Sequence, residues 1–189
     1  MKFRDLILKH DLNLACFVWG VAEALVFFIV PDVLLSYIGL KRGPRAAAIA
    51  SLCAAFGAAC GGAFVFWWSS ADPTGARATV LAVPAISEAM AARAETAMAG
   101  NWFLATLLGP LSSTPFKLYA VLAPHAGASL PAFAAASVVA RLPRFLVVSA
   151  GVAFIGRWVQ PRVSRVRLTW LLGAFWLVFY AVFFALMPN

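Results

Sequence analysis

Histidine, acidic residues and charge in general are scarce in this chain. Its 189 residues include two histidines, seven Asp plus Glu and three cysteines, and only 12% are charged. His10 and His125 stand alone at segment ends, where an interfacial position accounts for them. Ser112, Ser113 and Thr114 have no histidine beside them, so a nucleophile–base pair is not expected and helix capping suits them better. No cluster of potential metal ligands is present. An enzyme, a metal site and a bound cofactor are therefore not expected. Cys16, Cys53 and Cys60 lie in apolar runs without a C-x-x-C spacing, which reads as inert thiols rather than a disulfide. Also missing is the polar–apolar alternation of membrane strands; the apolar runs are continuous, which argues for helices.

What is abundant is apolar surface. The chain is 63% hydrophobic with a mean hydropathy of +0.90. A soluble domain of this length cannot hide that much, so the class is an integral membrane protein. The net charge is +8, but most basic residues sit in short loops. That is the positive-inside pattern rather than a nucleic-acid surface, and no nucleic-acid partner is expected. The first residues resemble a secretory leader ending in Ala22-Glu23-Ala24. Asp5 and Asp11 spoil its basic region and the apolar run continues through Val30, so the segment is expected to remain in the mature protein.

The chain divides into a cytoplasmic interfacial tail (1–11), an interrupted apolar segment (12–39), a clean span (46–68), an external stretch with an amphipathic helix closed by Gly100 (69–100), a second interrupted segment (101–124), and two further spans (129–156 and 168–186). The turn "SSADPTG" opens the external stretch, and Glu88, Arg93 and Glu95 fall on the exposed face of its helix. The pattern Gly57-x-x-x-Gly61 predicts close helix packing. If every apolar segment crossed once, the basic loop Lys41, Arg42, Arg45 would lie outside. If 12–39 and 101–124 are instead re-entrant hairpins, that loop, the tail and the arginines at 157, 162, 165 and 167 are all cytoplasmic, and the C-terminus is external. The expected fold is thus an all-α integral membrane protein, with two re-entrant helical hairpins plus transmembrane helices in an inverted-topology repeat. The symmetry comes from topology alone.

Each hairpin has a built-in break. Pro31 removes a backbone donor, and Asp32 is expected to N-cap a new half-helix. In the second hairpin Thr114 is expected to cap with Pro115 at the first helical position. Five ionisable residues fall at membrane depth: Glu23, Asp32, Lys117, Arg141 and Arg144. Facing lipid they would together cost on the order of 12–17 kcal/mol, so they must pair or line a wet cavity. Lys117 lies in the first turn after Pro115, and Arg141 and Arg144 share a helix face. Helix N-termini and three cations suit an anion; the two carboxylates suit charge compensation or proton exchange. Structural ion pairs joining the hairpins are the other reading.

The motifs E-x₇-P-D at Glu23–Asp32, "STPFK" at Ser113–Lys117 and "ARLPRF" at Ala140–Phe145 resemble the DedA superfamily, also called the SNARE-associated or VTT family, and within it the small YqaA-like branch. The likeness covers about residues 15–160. It implies re-entrant hairpins of inverted topology and lipid translocation: recycling of undecaprenyl phosphate in bacterial members, phospholipid scrambling in eukaryotic relatives, with proton coupling proposed for several. The family's essential acids fall on Glu23 and Asp32. This chain departs from the family in its second hairpin. Where two arginines flank a proline there, it has Pro110 and Ser112 near the first position and Lys117 near the second, so the substrate does not carry over.

The expectation is therefore a flippase for a lipid phosphate, either a polyprenyl phosphate or an anionic phospholipid, in the bacterial inner membrane. Its partners would be the lipid headgroup and protons, with a homodimer left open. A proton-coupled carrier of a small soluble ion and a non-transporting scaffold are the alternatives.

Overall fold

A computed structural model describes residues 3–25, 29–109, 112 and 114–186, with side chains from residue 11 onward. The side chains of Asp5 and His10, and residues Pro110 and Ser113, lie outside the described residues. Eight helices and no strand occur among those described: α1 (Phe3–Leu25), α2 (Asp32–Arg42), α3 (Pro44–Ala71), α4 (Pro73–Leu81), α5 (Glu88–Leu108), α6 (Phe116–Leu122), α7 (Leu130–Val159) and α8 (Arg165–Leu186). Three of them, α3, α7 and α8, are long and apolar enough to cross a membrane.

Helix α3 is the axis of the bundle. An added Cβ at Gly57 would strike the backbone carbonyl of Phe17, and one at Gly61 would come within 2.7 Å of that of Val21. Gly20 returns the contact against Ala54. Small residues thus let the α1 and α3 backbones touch, which supplies packing where hydrophobicity gives helices no reason to associate. A Gly57→Leu replacement must separate them. It is expected to lower stability by about 1–3 kcal/mol, read as a fall in thermal midpoint in detergent. Gly151→Leu, at a position with open space around it, is the control that should change little.

The same contacts give directions. Phe17 meets Gly57 and Val21 meets Gly61, so α1 and α3 run parallel. Helix α2 ends one residue before α3 begins, with Gly43 at φ +84° making the turn. A chain that goes up as α1 therefore comes back as α2 to the end it left. Helix α7 is antiparallel to α3: the Ser51 and Ser149 hydroxyls are 3.1 Å apart at one level, and the Phe66 and Phe133 rings 5.7 Å apart at another. Helix α6 runs with α3, its Phe116 ring against Gly62 and its Val121 carbonyl accepting from Ser69 Oγ at 2.7 Å. Packing between elements is crosswise. Helices α1 and α5 lie on α3 and α7 respectively, whereas α2 packs chiefly on α7, and α6 on α3.

Several boundaries differ from the sequence reading. Helix α1 runs unbroken from Phe3, so no structural break falls at residue 11. The stretch read as a turn contains only one non-helical residue, Asp72. It caps α4 by accepting from Gly75 N at 2.9 Å. In the first part of α5, Met90, Ala94 and Met98 are buried at four-residue spacing, while Glu88, Arg93 and Glu95 are exposed. Its break falls at Asn101 (φ −158°, ψ 103°), one residue beyond Gly100. There Asn101 Oδ1 accepts from Leu104 N and caps the second part. Arg77 on α4 ties to Glu88 at 2.9 Å and Glu95 at 3.3 Å, clasping α4 to α5. The three cysteines are free: Cys16 buried, Cys53 half-buried and Cys60 exposed.

Candidate functional site

The two interruptions meet at one level of α3, where Gly61 touches the end of α1 and the adjacent Gly62 the start of α6. Chain reversals expose backbone donors and acceptors, and within an apolar bundle these need partners. At the first, Trp19 Nε1 donates to the Ile29 carbonyl at 2.9 Å. The Val30 amide donates to Tyr180 Oη, also at 2.9 Å. At the second, the Ser112 amide reaches the Gly109 carbonyl at 3.0 Å, and Ser112 Oγ lies 3.0 Å from Tyr119 Oη.

Five charged side chains gather around these breaks. Glu23, near the end of α1, is 7% exposed. It accepts a two-pronged contact from Arg141 of α7, Nη1 to Oε2 at 2.5 Å and Nη2 to Oε1 at 2.9 Å. The planar fork of arginine matches a carboxylate in this way. The same guanidinium lies over the Phe116 ring, 4.3 Å from its centroid. One turn along α7, Arg144 Nη2 donates to Asp32 Oδ2 at 2.7 Å. The Asp32 side chain is 1% exposed and that of Arg144 is 40% exposed. Lys117, in the first turn of α6, is 2% exposed. Among the described residues, two buried polar side-chain atoms keep no protein partner: Asp32 Oδ1 and Arg141 Nε.

The capping roles expected of Asp32 and Thr114 are corrected. The cap of α2 is Pro31 (φ −58°, ψ −17°), whose carbonyl already accepts the first helical bond, from Leu35 N at 3.0 Å. Asp32 lies inside the helix and makes no cap hydrogen bond. The proline ring fixes a φ that suits the helix, and a guanidinium compensates a buried carboxylate better than a neutral amide does. At α6 the cap is Pro115 (φ −61°, ψ 136°), with no side-chain hydrogen bond from Thr114, and Phe116 is the first helical residue. Each break is therefore shaped by its proline, and the polar neighbour is released for other work.

Between the breaks lies a cavity of about 350 Å³. Glu23, Lys117, Arg141 and Arg144 line it, with Thr114 and Pro115 at its edge; Asp32 is joined to it through Arg144. The rest of the wall is largely aromatic: Phe116, Tyr119 and Phe145 from the bundle, and Phe179, Tyr180 and Phe183 from α8. Helix α8 was read from sequence as a plain span. In the fold it has no fully buried residue, yet it lines the cavity and, besides accepting from Val30 N at Tyr180 Oη, donates from Trp176 Nε1 to Ser36 Oγ at 2.9 Å. The signal was present in the sequence: Trp176 and Tyr180 are two polar-tipped aromatics four residues apart, on one face of an otherwise apolar helix.

Fold and site together describe a chain that is all-helical among its described residues, with three helices long and apolar enough to cross a membrane and a cluster of ion pairs around a cavity between helix breaks. No protein-family model, curated protein or solved structure matches the chain.

Proposed function

We propose that the protein is a membrane transporter that moves a lipid phosphate between leaflets, in the manner of the DedA superfamily its motifs resemble. The observation that carries the reading is the cavity, in which three cations and Glu23 converge between two interrupted helices. Intramembrane charge of this kind is expensive and marks substrate or proton pathways, and broken backbone at membrane depth belongs beside a cavity. In this reading 12–39 and 101–124 are re-entrant hairpins entering from opposite sides. The crosswise packing of α2 on α7 and α6 on α3 supports an inverted repeat, because each half lends its short helix to the span of the other. The tail, the 41–45 loop and the 157–167 loop face the cytoplasm of a bacterial inner membrane.

The phosphate enters from the bilayer while its tail stays in lipid. Lys117 and Arg144 receive it, the N-terminus of α2 adds its dipole, and Glu23 and Asp32 compensate the cations when the site is empty.

A second reading, a non-transporting scaffold, draws on the ion pairs themselves, since Glu23–Arg141 and Asp32–Arg144 lock α7 to α1 and α2. Reconstitution separates the two. Purified protein in proteoliposomes, with a tagged anionic lipid whose outer-leaflet copies are quenched, is expected to speed the loss of the protected fraction well beyond protein-free vesicles. Quenching that stalls at the outer-leaflet fraction for every lipid phosphate tried, with protein shown to be folded, would leave the scaffold.

A further inference from the structure

The cavity's charge balance carries the substrate question further, in a step that rests on the transport reading above. We propose that the site is built for a phosphodiester headgroup bearing one negative charge, as in an anionic glycerophospholipid, rather than for a phosphate monoester, a diphosphate or a zwitterionic headgroup.

The charged groups at the site are Lys117, Arg141, Arg144, Glu23 and Asp32, three cations against two carboxylates. Both carboxylates are engaged by guanidinium groups, an arrangement that sets charge against charge. The empty site therefore carries a net charge of +1. In a low-dielectric surround a net charge is what costs most, and a guest that cancels it is favoured. A diester with a neutral alcohol brings −1 and leaves zero. A monoester near neutral pH brings about −1.5 to −2 and leaves an excess negative charge. A zwitterionic headgroup brings no net charge, so the +1 stays buried.

The cavity's shape agrees. At about 350 Å³ it lies at the small end of ligand sites, with room for a headgroup but not for its chains. The aromatic wall contributed by Phe179, Tyr180 and Phe183 gives those chains an apolar flank.

The test is a comparison of three tagged lipids with identical acyl chains in the proteoliposome assay: phosphatidylglycerol, phosphatidic acid and phosphatidylcholine. Wild-type protein is expected to move phosphatidylglycerol at least about tenfold faster than either of the others. Glu23→Gln raises the site to +2 and is expected to shift the ratio toward phosphatidic acid. Asp32→Asn makes the same change at the other carboxylate and serves if the first variant does not fold. Phosphatidic acid moving as fast as phosphatidylglycerol in wild type would overturn the charge match while leaving transport standing, as would phosphatidylcholine doing so. If none of the three moves, the charge match fails, and a tagged polyprenyl phosphate run alongside decides whether the transport reading fails with it. A ratio that both carboxylate variants leave unchanged, in folded protein, would also overturn it.

Discussion

Lys117→Met is expected to reduce lipid flipping at least about 30-fold, the scale for truncating one member of a buried charge arrangement, while the protein still inserts and stays monodisperse. Methionine keeps much of the length of the lysine stem but removes the charge. Lys117 is 2% exposed and lines the cavity in the first turn of α6, so its ammonium group is in place before the substrate arrives. The folded state should tolerate the change, because burying an ammonium group is itself costly. Lys117→Arg keeps the charge in a bulkier, planar form and should retain part of the activity. Flipping by the methionine variant at the wild-type rate would remove Lys117 from the mechanism.

The second large effect is on stability. Arg141→Met leaves Glu23 buried at 7% exposure without either of its guanidinium contacts. An uncompensated buried charge of this kind typically costs about 3–5 kcal/mol, and thermal unfolding in detergent should show it as a marked fall in midpoint. Pairing the change with Glu23→Leu removes the stranded carboxylate, so the double variant should recover most of the loss. The difference between single and double changes measures the coupling directly. If the double variant is no more stable than Arg141→Met, the ion pair is not what holds α7 to α1. A folded double variant that does not transport would assign the pair to function as well as to assembly.

How much of this was legible in the sequence depends on which physical constraint was strongest. Charges in an apolar run are costly enough that Glu23, Asp32, Lys117, Arg141 and Arg144 stood out, and all five are gathered around one cavity. The helical class followed from unbroken apolar runs, and close packing at Gly57 and Gly61 from their spacing. What each residue does locally was less legible. Asp32 and Thr114 both had the right chemistry and position for caps. That Pro31 and Pro115 would occupy those positions depends on a backbone register that one residue can shift. The partner of the Gly57 face could not be read either, because α1 and α3 are brought together by the bundle and not by adjacency. Helix α8 hid its role because its apolar surface satisfied the expectation of a span, and the side-chain hydrogen bonds of Trp176 and Tyr180 reach 140 and 150 residues back along the chain.

Those sequence distances bear on biogenesis. Glu23 and Asp32 are synthesised 118 and 112 residues ahead of the arginines that neutralise them. At 5–20 residues per second, the first segment waits about 6–24 seconds for Arg141 to be made. During that interval the arginines that neutralise its carboxylates do not yet exist, and Lys117 itself comes late. The amino-terminal hairpin must therefore be held where water or the insertion machinery can shelter it. The bundle can close only after α7 has been delivered, so a nascent chain arrested before Arg141 should be a better target for membrane proteases than the finished protein.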